Sequence, residues 1–200
     1  MGAKRKALNL REIVVMASIS AAFGVLYLLW IFFGQFVKGL LGPVGWGLIT
    51  GLWVMAPIVC AYIIRKPGVA LIAEMIAAGT EIMVGSVSAG TVLILGFTQG
   101  LGVEIALALF LWRSYRLSVL MLAGVCGMVA NFFTIYVMYG YSQYSSIITL
   151  LMLSTMLISG AWLGGWGSKS IADALSRTGV LNNFALGKMH RDGRLGHSVD

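Results

Sequence analysis

Apolar residues run through this chain in six blocks of about 17–25 positions, the length at which a helix rising 1.5 Å per residue crosses a hydrocarbon layer about 30 Å thick. The blocks lie at 13–33, 44–64, 69–85, 91–112, 117–139 and 147–166, and the last can continue to Arg177. Arg65-Lys66-Pro67-Gly68 ends the second block with charge, proline and glycine, a strong stop signal. The fourth block carries Gly96, Gly100 and Gly102, so it reads either as one crossing helix or as a broken, re-entrant segment. The pattern divides the chain into a basic N-terminal segment 1–12, a transmembrane domain 13–177 and a polar, glycine-bearing tail 178–200 that is expected to be mobile.

Composition supports the membrane reading. The 200 residues are 59% hydrophobic and 10% charged, against about 25% charged in an ordinary soluble domain. The mean hydropathy is +0.92. The expected fold class is therefore an all-α integral membrane protein with six transmembrane helices. The formal net charge is +7, but the charge is sorted by position. Of the 14 lysines and arginines, only Lys38 falls on the side opposite the others once the six helices alternate. The positive-inside rule then places both termini in the cytoplasm of a bacterial inner membrane, and topology rather than nucleic acid accounts for the basic balance. Lys4-Arg5-Lys6 ahead of an apolar run looks like a signal peptide, but the run is too long and lacks a cleavage site, so it reads as a retained first helix.

Cys60 and Cys126 fall in different blocks and are expected to be unpaired. His190 and His197 are confined to the tail, and no metal-ligand spacing, phosphate-binding loop or nucleophile elbow occurs. The chain is accordingly read as no enzyme, with no metal or cofactor. Small residues recur four apart, as in Gly47 and Gly51 or Gly160 and Gly164, which suits close helix packing in lipid. On the first helix, Ala17, Ser18, Ala21 and Ala22 make a broad smooth face that could receive a partner protein.

Charged residues inside membrane segments are functional candidates. Glu74, Glu81 and Glu104 lie in apolar blocks with no lysine or arginine inside a helix core to pair with them. Glu74 and Glu81 are seven apart, so they share one helix face about 10 Å apart along the axis. Gln99 and Asn131 add amides, and Trp53, Tyr136 and Trp46 add rings. Carboxylates beside aromatic walls suit a flat, cationic or amine-bearing ligand. Tyr139, Tyr141 and Tyr144 read instead as interfacial belt residues. Glu104 is given a central part in ligand binding, so Glu104→Ala would weaken it about tenfold, or about 1.4 kcal/mol.

The run Gln99-Gly100-Leu101-Gly102-Val103-Glu104, followed by Phe110 and Arg113, resembles the substrate-binding S components of energy-coupling factor (ECF) vitamin transporters. The Ala17-x-x-x-Ala21 face and Arg65-Lys66-Pro67-Gly68-Val69-Ala70 leading to Glu74 add to the resemblance, which covers roughly residues 10–175 and is nearest to the YkoE type. It implies thiamin or its hydroxymethylpyrimidine precursor as ligand, and a transmembrane T component docking on Ala17, Ala21, Ser18 and Ala22. It also implies two cytoplasmic ATPases and a lid formed by 34–43. Another class stays open on the same carboxylates: a stand-alone proton-coupled carrier or exporter of small organic cations. Such carriers often show internal repeats, and none is evident here. Uptake without an ATPase would separate the two.

Overall fold

The computed structural model describes residues 7–189, and among these the chain is helical with no strand. Helix α1 spans Leu10–Ile49 and a 3-10 turn Thr50–Val54 leads into α2, Met55–Ile64. Then follow α3 (Val69–Val84), α4 (Ala89–Leu109), α5 (Leu117–Met138) and α6 (Ser146–Ser159), which passes through a π-helical stretch Gly160–Gly167 into α7 (Ser168–Arg177). Leu10–Ile64, Ala89–Leu109, Leu117–Met138 and Ser146–Arg177 are each long and apolar enough to cross a membrane. The first of these, at 55 residues, is broken at Gly42 and makes two passes. With the 16-residue α3, and the first span counted as two, the described residues form six long helical segments.

The break at Gly42 follows from local chemistry. Pro43 cannot donate an N–H and its ring disfavours a helical residue before it. Gly42 takes φ 65° and ψ −158°, a region open essentially to glycine alone. The segment 34–43, expected as a loop, is thus helical up to Leu41. At the other end of α1, Asn9 and Glu12 form a reciprocal capping box at 2.9 and 2.8 Å. The Glu12 carboxylate also pairs with Lys66 Nζ at 2.6 Å, tying this end to the α2–α3 turn. In that turn Arg65 and Gly68 adopt left-handed backbone, φ 58° and 82°.

Glycine sets the helix spacing. α4 is unbroken, and its glycines are contact points. A Cβ on Gly96 would lie 2.8 Å from Ala78 Cβ on α3, and one on Gly102 would lie 2.6 Å from the Cys126 carbonyl oxygen on α5. Gly160 meets the α5 backbone at Gly124, and Gly51 meets Ser159, whose hydroxyl donates to the Leu48 carbonyl at 2.7 Å and accepts from Gly51 N–H at 2.9 Å. In lipid, where apolar burial gives helices little reason to associate, such close contacts and hydrogen bonds carry the packing. Cys60 and Cys126 are both free thiols. The tail expected to be mobile begins with a packed stretch, since Leu181, Phe184 and Leu186 join the buried core. Residues 190–200, with His190 and His197, lie outside the described residues.

Gly102→Ala is expected to lower the thermal unfolding temperature in detergent, because overpacking costs about 1–3 kcal/mol. Gly79→Ala, where the new methyl meets nothing within 4 Å, should leave that temperature unchanged or raise it slightly. Differential scanning fluorimetry of the two variants checks the contrast.

Candidate substrate site

A cavity of about 380 Å³ opens at the end of the bundle that carries Lys38 and Tyr141, opposite the end that carries Arg65. That volume suits a small organic molecule. Along α1 the cavity follows Tyr27, Ile31, Gln35 and Lys38, a single stripe at helical spacing. α3 contributes Glu74, Ala78 and Glu81, and α4 contributes Thr91, Leu95 and Gln99. From α5 and its C-cap come Asn131, Ile135 and Tyr139, each four residues from the next.

The floor is a polar cluster in an apolar bundle. Glu74 is 1% exposed. Tyr27 donates its hydroxyl proton to Glu74 Oε2 at 3.2 Å and accepts the Ala56 N–H at 3.1 Å. Gln99 is oriented by its neighbours. Its amide nitrogen faces Glu74 Oε1 and the Trp53 carbonyl, both at 3.2 Å, and its oxygen faces the Asn131 side-chain amide at 3.1–3.3 Å. Five helices, α1 to α5, and the 3-10 turn between α1 and α2 therefore contribute to the cluster around one carboxyl group. The aromatic wall is the Trp46–Trp53 stack, with centroids 5.5 Å apart and planes 27° apart. Glu81, also buried, stands two turns along α3 toward the mouth. Among the described residues neither Glu74 nor Glu81 forms an ion pair. A buried carboxyl group without a cation favours a ligand that brings N–H donors or positive charge.

Six of the residues singled out in the sequence therefore line one cavity: Glu74, Glu81, Gln99, Asn131, Trp46 and Trp53. Two do not. Tyr136 lies one position round α5 from the Asn131–Ile135–Tyr139 stripe and packs on Phe132, ring centroids 5.8 Å apart. Glu104 lies five residues past Gln99, turned well round α4 and nearer the Arg65 end. There its carboxylate accepts Gly68 N–H at 2.6 Å, Ala70 N–H at 3.0 Å, Leu71 N–H at 3.4 Å and Trp112 Nε1–H at 2.6 Å. It caps the N-terminus of α3, where free N–H groups and the helix dipole both favour an anion. These contacts join α4 to α3, and Glu104 is not among the residues that line the cavity. Conversely, Tyr139 and Tyr141, read as belt residues, line the mouth, whereas Tyr144 is not among the lining residues. Tyr27, Gln35 and Lys38 were missed, although a single tyrosine deep in an apolar run and the one cation on its side were signals available in the sequence.

On α1, Ser18 and Ala22 are exposed and Ala17 and Ala21 are half-buried, beside exposed Val14, Val25 and Leu29. This strip stands uncovered among the described residues.

Comparison with known proteins identifies the family. The family described as "ABC-type cobalt transport system, permease component" matches residues 11–130. A Bacillus subtilis (strain 168) protein, "Putative HMP/thiamine permease protein YkoE", is 44% identical over 183 residues, 92% of each chain. A solved structure titled "Crystal structure of an S-component of ECF transporter" superimposes with a TM-score of 0.93 at 43% identity, covering 96% of this chain and 98% of that one. The chain belongs to the S components of ECF transporters. It is of the YkoE type, a multi-pass membrane transport subunit and not an enzyme. The all-helical class and the six-helix S-component fold read from the sequence both hold.

In this S component, Glu104→Gln is expected to lower the unfolding temperature. The neutral side chain keeps its shape but loses charge-assisted acceptance, worth about 1.5–3 kcal/mol per bond. An unfolding temperature within one degree of wild type would refute the capping role.

Proposed function

We propose that this S component binds thiamin or its hydroxymethylpyrimidine precursor from outside the cell and delivers it across the bacterial inner membrane. The observation that carries the reading is the 380 Å³ cavity with Glu74, Gln99 and Asn131 on its floor and Trp46 and Trp53 on its wall. An aminopyrimidine is flat, donates from its amino group and accepts at its ring nitrogens. Stacking on an indole and pairing with a carboxyl group and two amides meet each of these needs. The thiazolium of thiamin adds a positive charge, which Glu81 is placed to balance. Kinship to a protein named for HMP and thiamine supports the same ligand class.

On this reading both termini are cytoplasmic and the Lys38 end faces outward, in keeping with the charge distribution along the chain. The chain carries no ATP-binding motif, so energy comes from two ATPase subunits coupled through a T component. The T component seats on the strip formed by Ala17, Ser18, Ala21 and Ala22, where small side chains allow close backbone approach.

Isothermal titration of thiamin and of hydroxymethylpyrimidine into the detergent-purified protein tests the proposal. Glu74→Gln and Gln99→Ala are each expected to weaken binding about tenfold or more, about 1.4 kcal/mol. Glu104→Gln should change the dissociation constant less than twofold. Wild-type protein that binds neither compound would overturn the assignment.

A further inference from the structure

The charges of the cavity follow an order along its depth. Glu74 stands on the floor with Tyr27, and Glu81 lies two turns further along α3. Gly24 of α1 packs directly against the α3 backbone at Glu81, where a Cβ would come within 3.2 Å of Glu81 N. Lys38 is fourteen residues beyond Gly24 on an unbroken stretch of helix, so it lies past the end of α3. From Tyr27 to Lys38 the stripe rises about 16 Å. Lys38 nonetheless faces the cavity. It lines the wall, and its ammonium lies 5.9 Å from the Trp46 ring centroid. Ser88, Thr91, Tyr139 and Tyr141, all hydroxyl-bearing, line the same cavity. Among the described residues Lys38 makes no ion pair, with Glu81 or any other carboxylate.

A cation alone would be an odd choice at the mouth of a site built only for a positively charged ligand, because like charge raises the cost of entry. A molecule that reads amine, cation and anion from one end to the other meets every charge in turn. We infer that the cavity also accepts the phosphate ester of its ligand, with Lys38 as the specificity-determining residue for the phosphoryl group. This rests on the thiamin reading above and extends it. The aminopyrimidine occupies the floor at Glu74, Gln99 and Asn131. The thiazolium lies near Glu81, and the phosphate reaches the ammonium of Lys38 and nearby hydroxyls. A lysine serves here as a point charge on a flexible stem, which tolerates esters of different length.

The test is equilibrium binding of thiamin and of thiamin monophosphate to the full-length purified protein, read by calorimetry on wild type, Lys38→Gln and Lys38→Arg. Lys38→Gln is expected to weaken the monophosphate about tenfold more than it weakens thiamin, and Lys38→Arg should keep most of the monophosphate affinity. Lys38 is half-exposed, and an unchanged unfolding temperature confirms that the variants are intact. Equal shifts for both ligands, no shift for either, or a wild type that binds thiamin but not its monophosphate would each overturn the inference and leave the thiamin assignment standing. A wild type that binds neither would overturn both.

Discussion

A carboxyl group with no cation beside it, sealed in an apolar bundle, is the constraint around which the rest of this molecule is arranged. Glu74 cannot be left bare in hydrocarbon, since an unsatisfied polar group there costs several kcal/mol. Its partners are neutral: the Tyr27 hydroxyl on one oxygen and the Gln99 amide on the other. Each partner is itself held by a second group, Tyr27 by the Ala56 N–H and Gln99 by the Trp53 carbonyl and the Asn131 amide. Neutral partners orient the carboxyl group without cancelling its capacity to accept a donor or a positive charge. An arginine in the same place would have closed the site.

Such a cluster requires the helices to stay in register. Glycine supplies the approach, with Gly100 of α4 against Glu74 Cβ and Gly127 of α5 against Val54 and Val103. At the Arg65 end, Glu104 clamps the first turn of α3 through backbone N–H groups and the Trp112 indole, while Glu12 and Lys66 tie α1 to the same turn. These polar contacts lie away from the cavity. They bear on it indirectly, by setting the level at which Glu74 meets Tyr27 and Gln99.

The cavity differs in character from floor to mouth. The floor is buried and narrowly specified by hydrogen bonds, which suits recognition of a ring by its edges. The mouth is built from longer groups, with Lys38 set against the Trp46 face and Tyr139 and Tyr141 also in the lining. On the proposed reading, a floor fixed by hydrogen bonds and a rim of longer side chains would suit molecules that share a head group and differ at the tail.

Much of this was legible along the chain. Apolar runs of crossing length, separated by glycine, proline and basic residues, determined the helical class and the number of passes, because lipid leaves a spanning backbone few other options. The seven-residue spacing of Glu74 and Glu81 placed both on one face, and Gln99 and Asn131 stood out as amides in apolar surroundings. Which carboxylate faces the cavity was not written there. Glu104 looks like Glu81 as a letter in an apolar run, yet a turn of α4 carries it to the N-terminus of α3. Tyr136 and Tyr139 differ by three positions, and only one meets the cavity. The local pattern settled what each helix is, since that depends on neighbouring residues and the solvent. The tertiary structure alone decided which side chains converge, because that depends on how far each helix is rotated and shifted against the next, quantities set by contacts between residues such as Gly24 and Glu81 that lie far apart in the chain.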